Sequence, residues 1–176
     1  MICLNKLKKI ELINLIIIII LGTILHFTFE LSNNNLFVAS LSAVNESTWE
    51  HLKLLFFPVL LTTLGSFCFL KKDFPNYIIT KTKALLLGLI FIVVFFYTYT
   101  GILGFNIAFL DILSFFIACF IVYLYSYKNI NNCKNNFLGI FILFILLILF
   151  IIFTFYPPHI GIFKDPITNN YGILKN

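Results

Sequence analysis

A chain in which 61% of 176 residues are hydrophobic and only 11% charged, with a mean hydropathy of +1.04, lies outside the usage of soluble domains and reads as an integral membrane protein. The net charge of +5 comes from lysine alone, since the sequence holds no arginine. That suits an anionic lipid surface and argues against a nucleic-acid partner, which calls for clustered basic faces and arginine forks.

In chain order, a basic leader carrying Lys6, Lys8 and Lys9 precedes an apolar run over 10–30. About 20 helical residues at about 1.5 Å each cover a hydrocarbon core of about 30 Å. A signal peptide is the competing reading, but the run is long for one and no small-residue cleavage site follows it. Asn33, Asn34 and Asn35 then open a polar connection, with a short interfacial helix expected over 36–41. The second span is predicted over 52–70, kinked at Pro58 because proline removes a backbone donor and crowds the preceding turn. A third span is predicted over 84–100, a tight hairpin over 101–106, a fourth span over 107–125 and a fifth over 137–155. Pro157 and Pro158 end the last helix and open a tail over 156–176. The expected fold is all-α: a single polytopic membrane domain over 1–176 with five transmembrane helices.

Lysine placement predicts the orientation. With the N-terminus inside, the inner segments hold nine lysines and the outer side only Lys53, Lys164 and Lys175. The C-terminal tail is then outside. Cys3, Cys68, Cys119 and Cys133 all fall on the inner side, where no disulfide is expected.

This topology gathers the polar residues. His26, His51 and His159 fall at the outer ends of spans one, two and five, and Glu30, Glu46, Glu50, Asp111 and Asp165 join them. Asp111 and His26 sit about one turn inside the membrane boundary, where an ionisable group costs roughly 2.5–3.5 kcal/mol and usually faces a partner or a cavity. His26 and Glu30 are spaced for one helical face, as are Glu46 and Glu50, and Ser47 and His51. Tyr97 and Tyr99 bring hydroxyls to the same level. Plainer readings stand beside this. Ser47-x-x-Glu50 is a capping box that Asn45 and Glu46 can support, Trp49 suits an interfacial anchor, Lys53 can snorkel outward, and Asp111 can pair with Lys53 or Lys164.

The motifs that carry a resemblance are Ser42-Ala43-Val44-Asn45-Glu46-Ser47-Thr48-Trp49-Glu50-His51-Leu52-Lys53-Leu54, Phe155-Tyr156-Pro157-Pro158-His159 and Phe163-Lys164-Asp165-Pro166-Ile167-Thr168. With Leu25-His26-Phe27-Thr28-Phe29-Glu30, Tyr97-Thr98-Tyr99-Thr100 and Asp111-Ile112-Leu113-Ser114, they span almost the whole chain. The sequence resembles a family of small bacterial integral membrane proteins classed as a domain of unknown function. The resemblance implies a multi-pass protein of the bacterial cytoplasmic (inner) membrane in which these motifs share one fold. It implies no activity.

Chemistry follows from residue types. Neutral imidazoles and a carboxylate suit Zn²⁺ or another divalent metal, and three protein ligands with an open position make a bound water nucleophilic near neutral pH. His26, His51 and His159 are the candidate ligands. Glu46 or Glu50 is the candidate general base, and Asp111 a fourth ligand or a partner that orients an imidazole. An outward-facing, metal-dependent intramembrane hydrolase of a lipid or lipid-linked substrate is the first expectation, similar to the ceramidase-like membrane hydrolases in its dispersed His, Asp and Ser but with a different helix count. A non-catalytic binding or accessory subunit, whose outer pocket captures a small ligand, ion or protein partner, is the alternative. No polar path is expected through the inner halves of the helices, which disfavours a channel.

Overall fold

A computed structural model describes residues 2–130 and 136–173. Its elements are α1 (Ile2–Leu31), α2 (Leu36–Ala39), α3 (Thr48–Leu70), α4 (Tyr77–Leu103), α5 (Ala108–Asn129) and α6 (Asn136–Phe155), then a 3₁₀ turn at Gly161–Phe163. Among the described residues there is no β-strand, only an isolated antiparallel bridge between Lys164 and Tyr171. Five helices are long and apolar enough to cross a membrane. Each predicted span is present. Most run past their apolar stretches, because backbone amides and carbonyls inside a bilayer have no partner but the helix itself. α4 therefore begins at Tyr77 and takes in Lys81 and Lys83, and α3 begins at Thr48 and takes in His51. Lys134 and Cys133 lie outside the described residues, as do Lys175 and the side chain of Cys3.

α3 is the centre of the bundle, with 56% of its span buried against 28% or less for the other four. α1 and α4 flank it, α5 packs against α4 and α1, and α6 lies along α4. The core follows from this order: Leu55, Phe56 and Val59 of α3 meet Ile18 of α1 and Leu85 of α4. Pro58 lies inside α3 and has no amide to offer the Leu54 carbonyl. α1 approaches at that point through Gly22, where a Cβ would stand 2.6 Å from the Leu54 oxygen and 2.5 Å from the Phe115 ring. Only glycine allows this three-helix contact, in keeping with the small residues found where membrane helices approach closely. At the far end of α4, Gly104 takes a left-handed conformation (φ 80°) and its amide closes on Thr100, which starts the turn into α5.

The end of the bundle at which α1 and α4 begin carries a buried polar cluster. Lys81 Nζ donates to Glu11 Oε2 at 2.9 Å and the Tyr77 hydroxyl donates to Glu11 Oε1 at 2.7 Å. Asn14 donates to the Tyr77 hydroxyl at 3.2 Å and accepts from Ser66 at 3.0 Å. All five side chains are buried. They form a closed cluster joining α1, α3 and α4 and open no path through the bundle. The sequence does not reveal the cluster because Lys81 reads as a loop residue until α4 is seen to start at Tyr77, about two turns before its apolar stretch. On the exposed side of the same end, Lys6 pairs with Asp73 at 2.7 Å.

A buried ion pair that loses one partner leaves an uncompensated charge. Lys81→Met should therefore destabilise the protein by about 3–5 kcal/mol. Glu11→Leu combined with Lys81→Met should recover most of that loss, as read by thermal unfolding in detergent; a double variant as unstable as the single one contradicts the assignment.

Candidate metal centre and amphiphilic cavity

The polar run that leads into α3 is shaped by side chains bonding to backbone. Asn45 Oδ1 accepts the Ser47 amide at 2.9 Å, and Ser47, the N-cap, accepts the Glu50 amide at 3.4 Å. Only half of the expected capping box forms. The Glu50 carboxylate turns away to accept the Val44 amide at 3.1 Å and the Lys53 ammonium at 2.5 Å, while Thr154 of α6 donates to it at 3.2 Å. Lys53 also donates to the Ala39 carbonyl at 2.8 Å and to Thr154 at 2.9 Å. It is fully buried and does not snorkel. The pair is spent on structure: it fastens the loop between α2 and α3, and α6, onto the start of α3.

Fastening that loop delivers Glu46. Because α3 begins only at Thr48, Glu46 does not share a helical face with Glu50 and folds back over the first turn instead. Its Oε2 lies 3.2 Å from His51 Nε2. The His26 ring of α1 meets the His51 ring edge-on, with centroids 5.3 Å apart. Ligand atoms of His26, Glu46 and His51 lie within 4.8 Å of one another, and all three residues are half-buried. Metal bonds of 2.0–2.2 Å in tetrahedral geometry separate ligand atoms by about 3.4 Å, so modest side-chain rotation closes this set around one ion. The hydrogen bond from His51 is the main cause that holds the Glu46 carboxyl below its ordinary range, with the charges of His51 and His26 acting in the same direction and partial burial against it.

A cavity of about 340 Å³ opens beside this cluster and is lined by His26, Glu46, His51 and Asp111, with Leu54, Ile92 and Phe115 further in. A second cavity of about 130 Å³ shares His26, Phe27 and Glu46 with the first and reaches Glu30 and Asn45. Asp111 pairs with neither lysine. Its Oδ1 accepts the Tyr99 hydroxyl at 2.5 Å, and that hydroxyl accepts the Ile107 amide at 3.3 Å. Tyr99 thus fixes both Asp111 and the entry to α5.

Other expected residues lie apart from this set. His159 stacks on Tyr171 with ring centroids 4.6 Å apart and is exposed. Asp165 caps a turn of the tail, accepting the Ile167 amide at 2.8 Å and the Thr168 hydroxyl at 2.8 Å. Tyr97 faces the tail at Gly161. Trp49 packs on Phe150, Phe153 and Phe163 and is a bundle residue rather than a free interfacial anchor. The residues that the sequence left unnoticed are apolar: Leu54, Ile92 and Phe115 look like any other part of a span until the cavity places them one turn from His51, Phe96 and Asp111.

A family model described as "Family of unknown function (DUF6512)" matches residues 1–173, and the chain belongs to that family. No curated protein and no solved structure matches it.

Because the folded-state pKa of Glu46 is depressed, its contribution to stability is complete above the unfolded carboxylate value of about 4.3 and is lost as pH falls through the folded value. In metal-free protein, the difference in melting temperature between wild type and Glu46→Gln should shrink as pH falls below about 4. A difference undiminished at about pH 3 contradicts the bond between Glu46 and His51.

Proposed function

We propose that this family member is a metal-dependent intramembrane hydrolase of a lipid or lipid-linked substrate. The observation that carries the reading is the convergence of His26, Glu46 and His51, from α1, α3 and the loop between them, on one point at the mouth of a cavity with polar and apolar ends. Two histidines and one carboxylate form a known catalytic zinc set and a known set for other divalent ions. An ion there supplies a Lewis acid for a substrate carbonyl and lowers the pKa of a water at its open position.

The chain's own residues then divide the work. Glu46 completes the ligand set that the sequence reading assigned to His159. Glu50, bound on both oxygens, has no capacity left for proton transfer. Asp111, with one oxygen held by Tyr99, is the carboxylate positioned to accept a proton in the cavity. The lysine distribution supports a position of this end of the bundle on the outer face of a bacterial cytoplasmic membrane.

The test is metal content and turnover of the purified protein. Wild type should hold about one zinc, manganese or iron per chain, since three protein ligands with an open position make a single site. His26→Ala and His51→Ala should each lose it while remaining folded, as read by a cooperative thermal transition in detergent, and His159→Ala should retain it. A positioned general base typically contributes about 10²–10⁴-fold, so Asp111→Asn should keep the metal and lose hydrolysis by about that much. A stable wild type without metal overturns the hydrolase reading and leaves the cavity as that of a binding or accessory subunit.

A further inference from the structure

We propose that the larger cavity takes a single-chain amphiphile whose head bears hydroxyl, amide or amine groups and no phosphate, and that this molecule enters sideways from the bilayer between α1 and α5. The proposal rests on the hydrolase reading for the fate of the molecule and on the cavity alone for its class.

The axial order of the lining residues sets the shape. Each of four helices gives the cavity one residue at the level of the cluster and another about one turn deeper: His26 and Gly22, His51 and Leu54, Phe96 and Ile92, Asp111 and Phe115. Below the cluster the wall is mainly apolar, and the hydroxyls of Thr23 and Ser114 are bonded back to their own helices. A cavity of about 340 Å³ is near the lower limit for sites that enclose an organic ligand. It has room for one chain beside the Phe115 ring, which already touches Gly22.

The opening is identified by exposure. Thr23 and Phe27 on α1 and Ile112 on α5 line the cavity yet are exposed on the flank of the bundle, Phe27 by 54% and Ile112 by 56%. All three lie within membrane-spanning segments, so the side opening faces lipid rather than water.

Charge sets the head. No lysine lines either cavity, the sequence has no arginine, and Glu30 and Glu46 both face the smaller one. The imidazoles of His26 and His51 are the basic groups beside these carboxylates and are engaged in the cluster, so, apart from an ion held there, the lining offers nothing to neutralise a phosphate and favours an uncharged or cationic donor.

The probe is hexadecylglycerol, a single-chain ether with no bond to hydrolyse, offered to the full chain in nanodiscs beside hexadecyl phosphate and dihexadecylglycerol. The wild type should bind hexadecylglycerol saturably and the other two at least about tenfold more weakly. Ser114→Trp fills the cavity from α5 and Ile112→Trp narrows the opening from an exposed position. Both should weaken hexadecylglycerol by about tenfold or more while zinc content stays at the wild-type level. Equal affinity in wild type and both variants, or binding of the phosphate or the two-chain ether as tight as that of hexadecylglycerol, overturns the proposal. The two readings fail separately: zinc without hexadecylglycerol refutes this one alone, and hexadecylglycerol without zinc refutes the hydrolase alone.

Discussion

The buried pair between Glu50 and Lys53 is the interaction on which the functional end of the molecule depends. Two opposite charges sit almost without solvent, 2.5 Å apart, with all three Lys53 donors and both Glu50 oxygens engaged: Val44 and Ala39 from the loop on one side, Thr154 from α6 on the other. Desolvating such a pair costs several kcal/mol per ion, and the mutual attraction offsets this only when the surrounding hydrogen bonds are complete. Here they come from three separate segments. The pair can be satisfied only if the 39–47 loop and α6 are both in place, and placing that loop is what sets Glu46 against His51.

At the opposite end, Glu11 and Lys81 play the same part for α1 and α4, with Tyr77 and Asn14 completing the shell. A bilayer offers no hydrophobic drive for helices to associate, because lipid tails are as apolar as leucine. Close approach and polar contacts must supply the specificity. Gly22 against the Leu54 carbonyl provides the close approach between the two ion pairs, and Gly139, whose Cβ would stand 2.8 Å from the Ile79 backbone, brings α6 onto α4 at the level of Lys81. One pair near each end and these tight glycine contacts leave little freedom for the helices to slide. The His26 ring of α1 therefore meets the His51 ring of α3 at a fixed level.

The spans were legible in the sequence because hydropathy reports length and little else is needed to place a helix in lipid. The concentration of histidines and acids at one end was legible for the same reason, since topology fixes level. Azimuth was not. Whether His159 or Glu46 joins His26 depends on where a short loop and a proline-rich tail turn, and those turns are set by contacts far apart in sequence, such as Asn45 with the Gly172 carbonyl at 2.9 Å. The helix starts were misjudged by up to seven residues for α4, which begins at Tyr77 where 84 was expected, because polar residues that are buried in a network continue a helix that hydropathy ends. Lys81 is one of these residues, whereas Lys53, expected to snorkel outward, is buried against Glu50.

Glu46 and Glu50 show why composition alone does not assign a role. They lie four residues apart in one polar run, yet Glu50 is buried with both oxygens committed to neighbours, whereas Glu46 is half-exposed and bonded through His51. A metal ligand must be deprotonated and still able to exchange its partner for an ion. Glu46 meets the first condition because His51 and His26 hold its carboxyl below the ordinary range, and the second because the bond to His51 is a contact between two prospective ligands. Glu50 cannot leave Lys53 without stranding a charge in the bundle. The acid that stabilises the fold and the acid that can do chemistry are thus separated by burial, with the first holding in place the loop that carries the second.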